Sequence, residues 1–298
     1  MYNGTIFSYK DIAICEPYTK NINIEYSKSN FLPAFYVLPK NKRIAITNIY
    51  TLCSYLDNIV DNTSNQRNEI ETKTNRLDWW INKIHNIYID KIGNDDFLFI
   101  KELKEIIKDF SIPEKYFQIL INGIKKDLSQ RKYNTLENLL DYCFGVASSV
   151  GLICIHIFGD TSQTAQNYAV NLGYALQLTN IIRDVETDYK RNYIYLPQED
   201  LKKFSISPDD LQREKYNQNF VNLMEQQYRY AINYYNLAQK YYQELSKKAQ
   251  KQFNAAEIMK NIYFELLQKI KKQKFNIFNG KIKLSTAKKI LIISKTIL

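Results

Sequence analysis

The sequence predicts an all-α protein, and three observations carry that expectation. Only 8 glycines and 6 prolines occur in 298 residues. That is roughly 5% of the chain where ~12% is usual, and sheet-rich folds spend these residues at their many turns. Apolar residues recur at helical spacing, as in Leu139, Tyr142, Cys143, Val146, Val150 and Ile153, and again in Leu172, Ala175, Leu176, Thr179, Ile182 and Val185. Breaks are few: a polar stretch at 62–75 running into a helix, then 94–96 and 111–113. About ten helices follow from this pattern, with no linker and no repeat. A chain of this length can bury a large core, so an α-domain without a sheet must be thick in the middle or enclose something. One domain over 1–298 is the expected organisation.

Composition removes several classes of protein. Hydrophobic residues are 45% and charged residues 24%, ordinary globular values that argue against disorder. Cys15, Cys53, Cys143 and Cys154 form no CxxC pair, so structural, buried cysteines in a reducing cytoplasm are expected. His85 and His156 are the only histidines, and His156 lies in an apolar run that suits a satisfied core histidine. The first residues lack a basic segment followed by an apolar one, so no signal peptide is expected. No apolar run reaches the ~18 residues a membrane-spanning helix needs. The net charge of +10 leaves nucleic acid, an anionic membrane or a phosphorylated substrate as partners. No DNA- or RNA-binding motif is present, and nucleic acid is set aside.

Two segments carry chemistry. Residues 50–61 (YTLCSYLDNIVD) place Asp57 and Asp61 one helical turn apart on one face. Residues 177–188 (QLTNIIRDVETD) align Gln177, Asn180, Asp184 and Asp188 as a polar stripe on an otherwise apolar helix. Like charges at i, i+4 repel, and of the four aspartates only Asp188 has a local cation, Arg191. The missing counter-charge points to one supplied from outside. Carboxylates with an amide nearby and no paired thiolates or imidazoles suit a hard divalent cation. Mg²⁺ binds few protein carboxylates and completes its shell with water and phosphate. Two such pairs would hold Mg²⁺ ions against a diphosphate.

With these motifs in place, the chain resembles the head-to-head prenyl synthases: squalene, dehydrosqualene, phytoene and presqualene diphosphate synthases. The likeness runs through 29–31 (SNF), Leu38-Pro39, the first aspartate pair, Asp127 with 131–135, 142–151 (YCFGVASSVG), the second pair, and 195–197 (YLP). It ends with Tyr263, Phe278 and 284–286 (LST). Residues 146–151, 156–159 and 178–184 look most like bacterial presqualene diphosphate synthases of hopanoid pathways. The resemblance implies an isoprenoid-synthase fold, helices around a central cavity. It implies that Asp57, Asp61, Asp184 and Asp188 hold Mg²⁺, for which Mn²⁺ can substitute. Gln177, Asn180, Arg183 and Arg191 would line the diphosphate end, with Tyr50, Tyr142 and Tyr263 near the reacting carbons. Phe31, Val146, Val150 and Gly151 would line the prenyl tunnel.

The implied reaction joins two farnesyl diphosphates into presqualene diphosphate and releases diphosphate. Phytoene synthesis from geranylgeranyl diphosphate, and dehydrosqualene or squalene synthesis, are the alternatives within this chemistry. Only complete squalene synthesis would add a hydride from NADPH, which presqualene diphosphate formation does not need. A non-catalytic scaffold protein is the alternative outside it. The family usually has arginines where this chain has Ser54 and Tyr193, and Asn58 replaces a frequent aspartate. Neither Ser nor Tyr replaces the planar guanidinium that binds phosphate bidentately.

The net charge resolves into one place. From 266 to 298 there are nine lysines and no acidic residue, which leaves about +1 for 1–265. Two expectations compete for this segment: a solvated lysine-rich last helix, or a peripheral foothold on an anionic bilayer.

Overall fold

The computed structural model describes residues 5–15, 32–61, 69–93, 96–280 and 282–297. Phe31 and Lys281 lie outside the described residues. Among the described residues the structure is helical, and a single isolated bridge between Lys132 and Ile194 is its only β pairing.

In chain order the helices are α1 (Tyr9–Ala13), α2 (Leu32–Phe35), α3 (Lys40–Asp61), α4 (Glu69–Tyr88), α5 (Leu98–Asp109) and α6 (Glu114–Lys126). Then follow α7 (Leu136–Cys143), a π-helical turn (Phe144–Ser148), α8 (Ser149–Phe158) and α9 (Gln163–Lys190). The chain continues through α10 (Gln198–Lys203), α11 (Pro208–Gln212), α12 (Gln218–Glu244), α13 (Lys247–Gln252), α14 (Asn254–Lys272) and α15 (Thr286–Ile297). Local chemistry sets many ends. Thr135, Ser162, Asn217 and Ser246 cap α7, α9, α12 and α13 by accepting the amide three residues on. Ser207 and Asp210 form a reciprocal capping box with Pro208 at the first helical position of α11. Gly159 (φ 98°) takes the left-handed conformation that closes α8.

α9 is the central helix. It packs along α12 and also meets α7, the π turn, α8, α11 and α14. A helix touched on so many sides must be apolar on most of them, and Ala165, Ala169, Leu172, Ala175, Leu178 and Ile182 are buried there. The few glycines are spent on close backbone approach. A Cβ on Gly173 of α9 would lie 2.5 Å from the Ser148 Cα, and one on Gly123 of α6 would lie 2.8 Å from the Gly145 backbone. One on Gly151 of α8 would lie 2.9 Å from the Ala169 carbonyl oxygen. Glycine scarcity therefore reflects few turns, and four of the eight glycines, Gly123, Gly145, Gly151 and Gly173, serve helix packing.

The structure departs from sequence expectation in two places. The run expected as one regular helix from Leu139 to Ile153 contains the π turn, at the point where Gly145 meets Gly123. The continuous helical run Leu136–Phe158 is also long and apolar enough to cross a membrane. It packs against α6 and α9 as core, and its most apolar stretch is more than half buried.

Candidate active site

α3 and α9 build the site together. On α3, Tyr50, Cys53, Ser54, Asp57 and Asp61 fall on one helical face, and all five line a single cavity of about 380 Å³. On α9, Gln177, Asn180, Asp184 and Asp188 line the same cavity, joined by Arg183 and Arg191. Asp61 and Arg191 are each about 40% exposed, which places them at the mouth. The wall beyond is apolar: Phe35, Ile46, Ile49, Val146, Val150, Gly151, Leu172 and Leu176. Phe158 and Tyr168, each 1% exposed, close the inner end.

The counter-charges differ from the sequence expectation. Arg191, the local cation of Asp188, instead donates to Asp61 and so ties α9 to the end of α3. Arg183 grips its neighbour Asp184 through both Nε, at 2.8 Å, and a terminal nitrogen. Two guanidiniums thus face four carboxylates, and Asp127 adds a fifth. The excess raises the carboxyl pKa values. Burial and then the neighbouring Asp61 and Asp127 carboxylates raise the Asp57 pKa well above its usual value. Asp57 still opens onto the cavity, and the crowded carboxylates add to the cost of holding its charge between protein walls. Burial and Asp184 push Asp188 up to about 7, against the pull of Arg191 and Arg183.

This donor set fits a hard divalent cation. The carboxylates carry unneutralised charge, and the Asn180 side-chain oxygen, on the same face of α9, is buried with no hydrogen-bond partner. Among the described residues no three His, Cys, Asp or Glu side chains converge to cage an ion. Any ion held there must complete its shell with water and phosphate oxygens, as Mg²⁺ does. Cys53 and Cys154, expected as structural, line the cavity, but burial raises both thiols and keeps them protonated.

A tyrosine cluster flanks the aspartates. The Tyr142 hydroxyl donates to Asp127 at 2.7 Å and lies 3.4 Å from the Tyr195 hydroxyl. Tyr133, Tyr142, Tyr193 and Tyr195 stack against one another with ring centroids 5.2–5.7 Å apart. Burial raises Asp127 to about 7, with the tyrosine hydrogen bonds pulling the other way. Tyr193, at the position usually held by arginine, is buried. Its hydroxyl donates to the Asp127 carbonyl at 2.8 Å, and the Arg131 guanidinium lies 4.1 Å from its ring centroid. It is a post that holds Asp127, not a phosphate ligand.

Of the site residues read from sequence, Tyr50, Tyr142, Val146, Val150, Gly151, Gln177, Asn180, Arg183, Arg191 and the four aspartates are brought to one cavity. Tyr263 is placed differently. It is buried on α14 and accepts a hydrogen bond from Arg183, so it stands behind that side chain and is not among the cavity-lining residues. Phe31 lies outside the described residues. Sequence reasoning gave Asp127 and Tyr195 no role, because each ends or follows a helix and no periodicity marks it. It also missed the buried group behind the inner wall, where Tyr168 donates to Glu257 at 2.9 Å and Lys260 pairs with Glu257 at 2.5 Å. His156 is half-buried and bonded to the backbone of Phe110 and Ser111, a satisfied histidine.

Helices wrapped round an apolar cavity with paired aspartates at its mouth give the all-α isoprenoid-synthase fold. A dehydrosqualene synthase structure superposes with a TM-score of 0.79 at 27% identity, covering 97% of this chain and 96% of that one. A squalene synthase, HpnC, from Alicyclobacillus acidocaldarius shares the fold with a TM-score of 0.73 at 20% identity, over 90% of this chain and 95% of that one. The squalene/phytoene synthase family profile matches residues 24–288, and the chain belongs to that family of head-to-head prenyltransferases. A 15-cis-phytoene synthase from a Synechocystis species is 30% identical over 284 residues, 91% of this chain and 81% of that protein. A chloroplastic phytoene synthase from an Oncidium hybrid is 28% identical over 90% of this chain, which spans 64% of that protein's length.

Proposed function

We propose that this protein condenses two farnesyl diphosphates into presqualene diphosphate, releasing diphosphate in a reaction that requires Mg²⁺. The observation that carries this proposal is the pairing of two acidic helix faces, on α3 and α9, across one end of an otherwise apolar cavity. Asp57, Asp61, Asp184 and Asp188 would hold the ions, with Asn180 beside them. Bound there, Mg²⁺ supplies Lewis-acid compensation for the charge of a departing diphosphate.

The chain's own residues do the rest. Arg183 and Arg191 stand beside the carboxylates, where their guanidiniums can also reach phosphate oxygens. The C1–O bond of one substrate breaks, and the C2=C3 bond of the second captures C1. Loss of a proton then closes the cyclopropane. Val146, Val150, Leu172 and Leu176 keep water from quenching the cation. The faces of Tyr142 and Tyr195 offer it cation–π contact. Tyr142, bonded to an Asp127 carboxyl raised to about 7, provides a proton-accepting pair near neutral pH.

Phytoene formation from geranylgeranyl diphosphate is the second proposal, because the curated relatives named above are phytoene synthases. The test incubates the protein with each diphosphate and Mg²⁺, with and without NADPH, and identifies products by mass spectrometry. Presqualene diphosphate from farnesyl diphosphate alone is expected. Phytoene only from the longer substrate would replace the first proposal with the second. No diphosphate release from either would overturn both.

A further inference from the structure

The last helix, α15, is apolar on both sides. Ile292 is buried and Ile293 half-buried against the core, and the Asn261 side chain of α14 donates to Thr296 at 3.0 Å. These contacts fix which face turns outward. That outward face carries Ala287, Ile290, Leu291, Ser294 and Ile297, all exposed, at i, i+3, i+4, i+7 and i+10. Ile290, Leu291 and Ile297 are 61%, 47% and 50% exposed. A helix on an ordinary solvated surface puts such a stripe inward and polar residues outward. The expectation of a merely solvated lysine-rich helix does not account for it.

The uncompensated charge around this stripe has one sign. Lys271 pairs with Glu225 and Lys288 with Glu265, so those two cations are compensated by acids of α12 and α14. Among the described residues no acidic side chain pairs with Lys272, Lys274, Lys283 or Lys295, which are all exposed. An open groove between the end of α14 and the segment that leads to α15 is lined by Lys269, Gln273, Asn276, Ile282 and Lys283.

We propose that α15 is an interfacial helix that seats this protein on an anionic phospholipid bilayer, with Ile290, Leu291 and Ile297 entering the acyl boundary and the lysines facing the headgroups. Charge complementarity selects this occupant. A protein partner would need an acidic surface around an apolar slot, whereas an anionic leaflet presents both at once. The stripe contributes apolar burial, and each lysine near the surface contributes about a fivefold gain in partitioning.

The experiment is flotation of the full chain with vesicles of phosphatidylcholine alone and of phosphatidylcholine with about 30% phosphatidylglycerol. Two variants accompany it, I290S/L291S/I297S and K272Q/K274Q/K283Q/K295Q, each checked for unchanged thermal unfolding. Wild type should float with the anionic vesicles and lose binding as salt rises. The lysine variant should lose at least about tenfold of its partitioning together with the preference for anionic lipid. The stripe variant should lose binding at low salt as well. Equal flotation by all three proteins, or no flotation of wild type, would overturn the proposal. So would a wild-type dimer in sedimentation velocity that the stripe substitutions convert to monomer, since the stripe would then meet a second copy of this chain.

Discussion

Asp188→Asn should make the metal-free protein more stable while removing its activity. Asp188 is held near 7 where an unfolded chain would titrate near 3.8. The sign follows from proton binding. A folded state that binds its proton more tightly loses stability as pH rises from the unfolded to the folded pKa, and the loss saturates above it. A shift of about three units corresponds to an upper limit of about 4 kcal/mol at pH 8 and about 1.6 kcal/mol at pH 5. Asp188 lines a cavity that water enters, so halving both values is reasonable, giving about 2 and about 0.8 kcal/mol. Asparagine keeps the shape and removes the charge. In a chain of this length about 2 kcal/mol is worth about 3 °C in Tm. The assay is thermal unfolding by circular dichroism at pH 8 and pH 5 in chelator. The variant should melt about 3 °C above wild type at pH 8 and about 1 °C above it at pH 5. Added Mg²⁺ should raise the wild-type Tm at pH 8 and close that gap. A variant that melts below wild type at pH 8, or whose Tm is shifted equally at both pH values, would refute the idea that Asp188 is kept at an electrostatic cost.

Three further outcomes follow from the same geometry. Asp57→Asn and Asp184→Asn should each reduce diphosphate release by at least about a hundredfold with Mg²⁺ present, with the far-ultraviolet spectrum unchanged; near-wild-type turnover would remove these residues from the ion-binding set. Gly173→Ala places a Cβ 2.5 Å from the Ser148 backbone, and urea unfolding should show a loss of about 1–3 kcal/mol. Glu257→Gln strands the Lys260 charge behind the cavity wall and should cost about 3–5 kcal/mol by the same measurement, with much of it recovered when Lys260→Met is added.

Some features of this protein are local and therefore readable along the chain. Helix content follows from apolar spacing and from the scarcity of turn formers. The aspartate pairs show because i and i+4 share a face whatever the helix packs against. Gln177 and Asn180 were legible because they share a helical face with Asp184 and Asp188, whereas Tyr142, Val146, Val150 and Gly151, on other helices, were reached only through the family resemblance. Tyr193 shows the other kind. Its loss of an arginine is visible in sequence, but its hydrogen bond to the Asp127 carbonyl crosses 66 residues and leaves no local trace.

The sequence by itself determined an all-α chain, four aspartates on two helical faces and a basic tail, because each depends on spacing within one segment. Tertiary structure decided which charges meet. It sends Arg191 to Asp61, 130 residues away, and not to its sequence neighbour Asp188. It sets Tyr263 behind Arg183 and makes Asp127 part of the site. It also decided that the apolar stripe of α15 faces outward, since only packing against α14 chooses between the helix's two apolar sides. Periodicity states that a helix has a face; the field and packing of distant segments decide what that face meets.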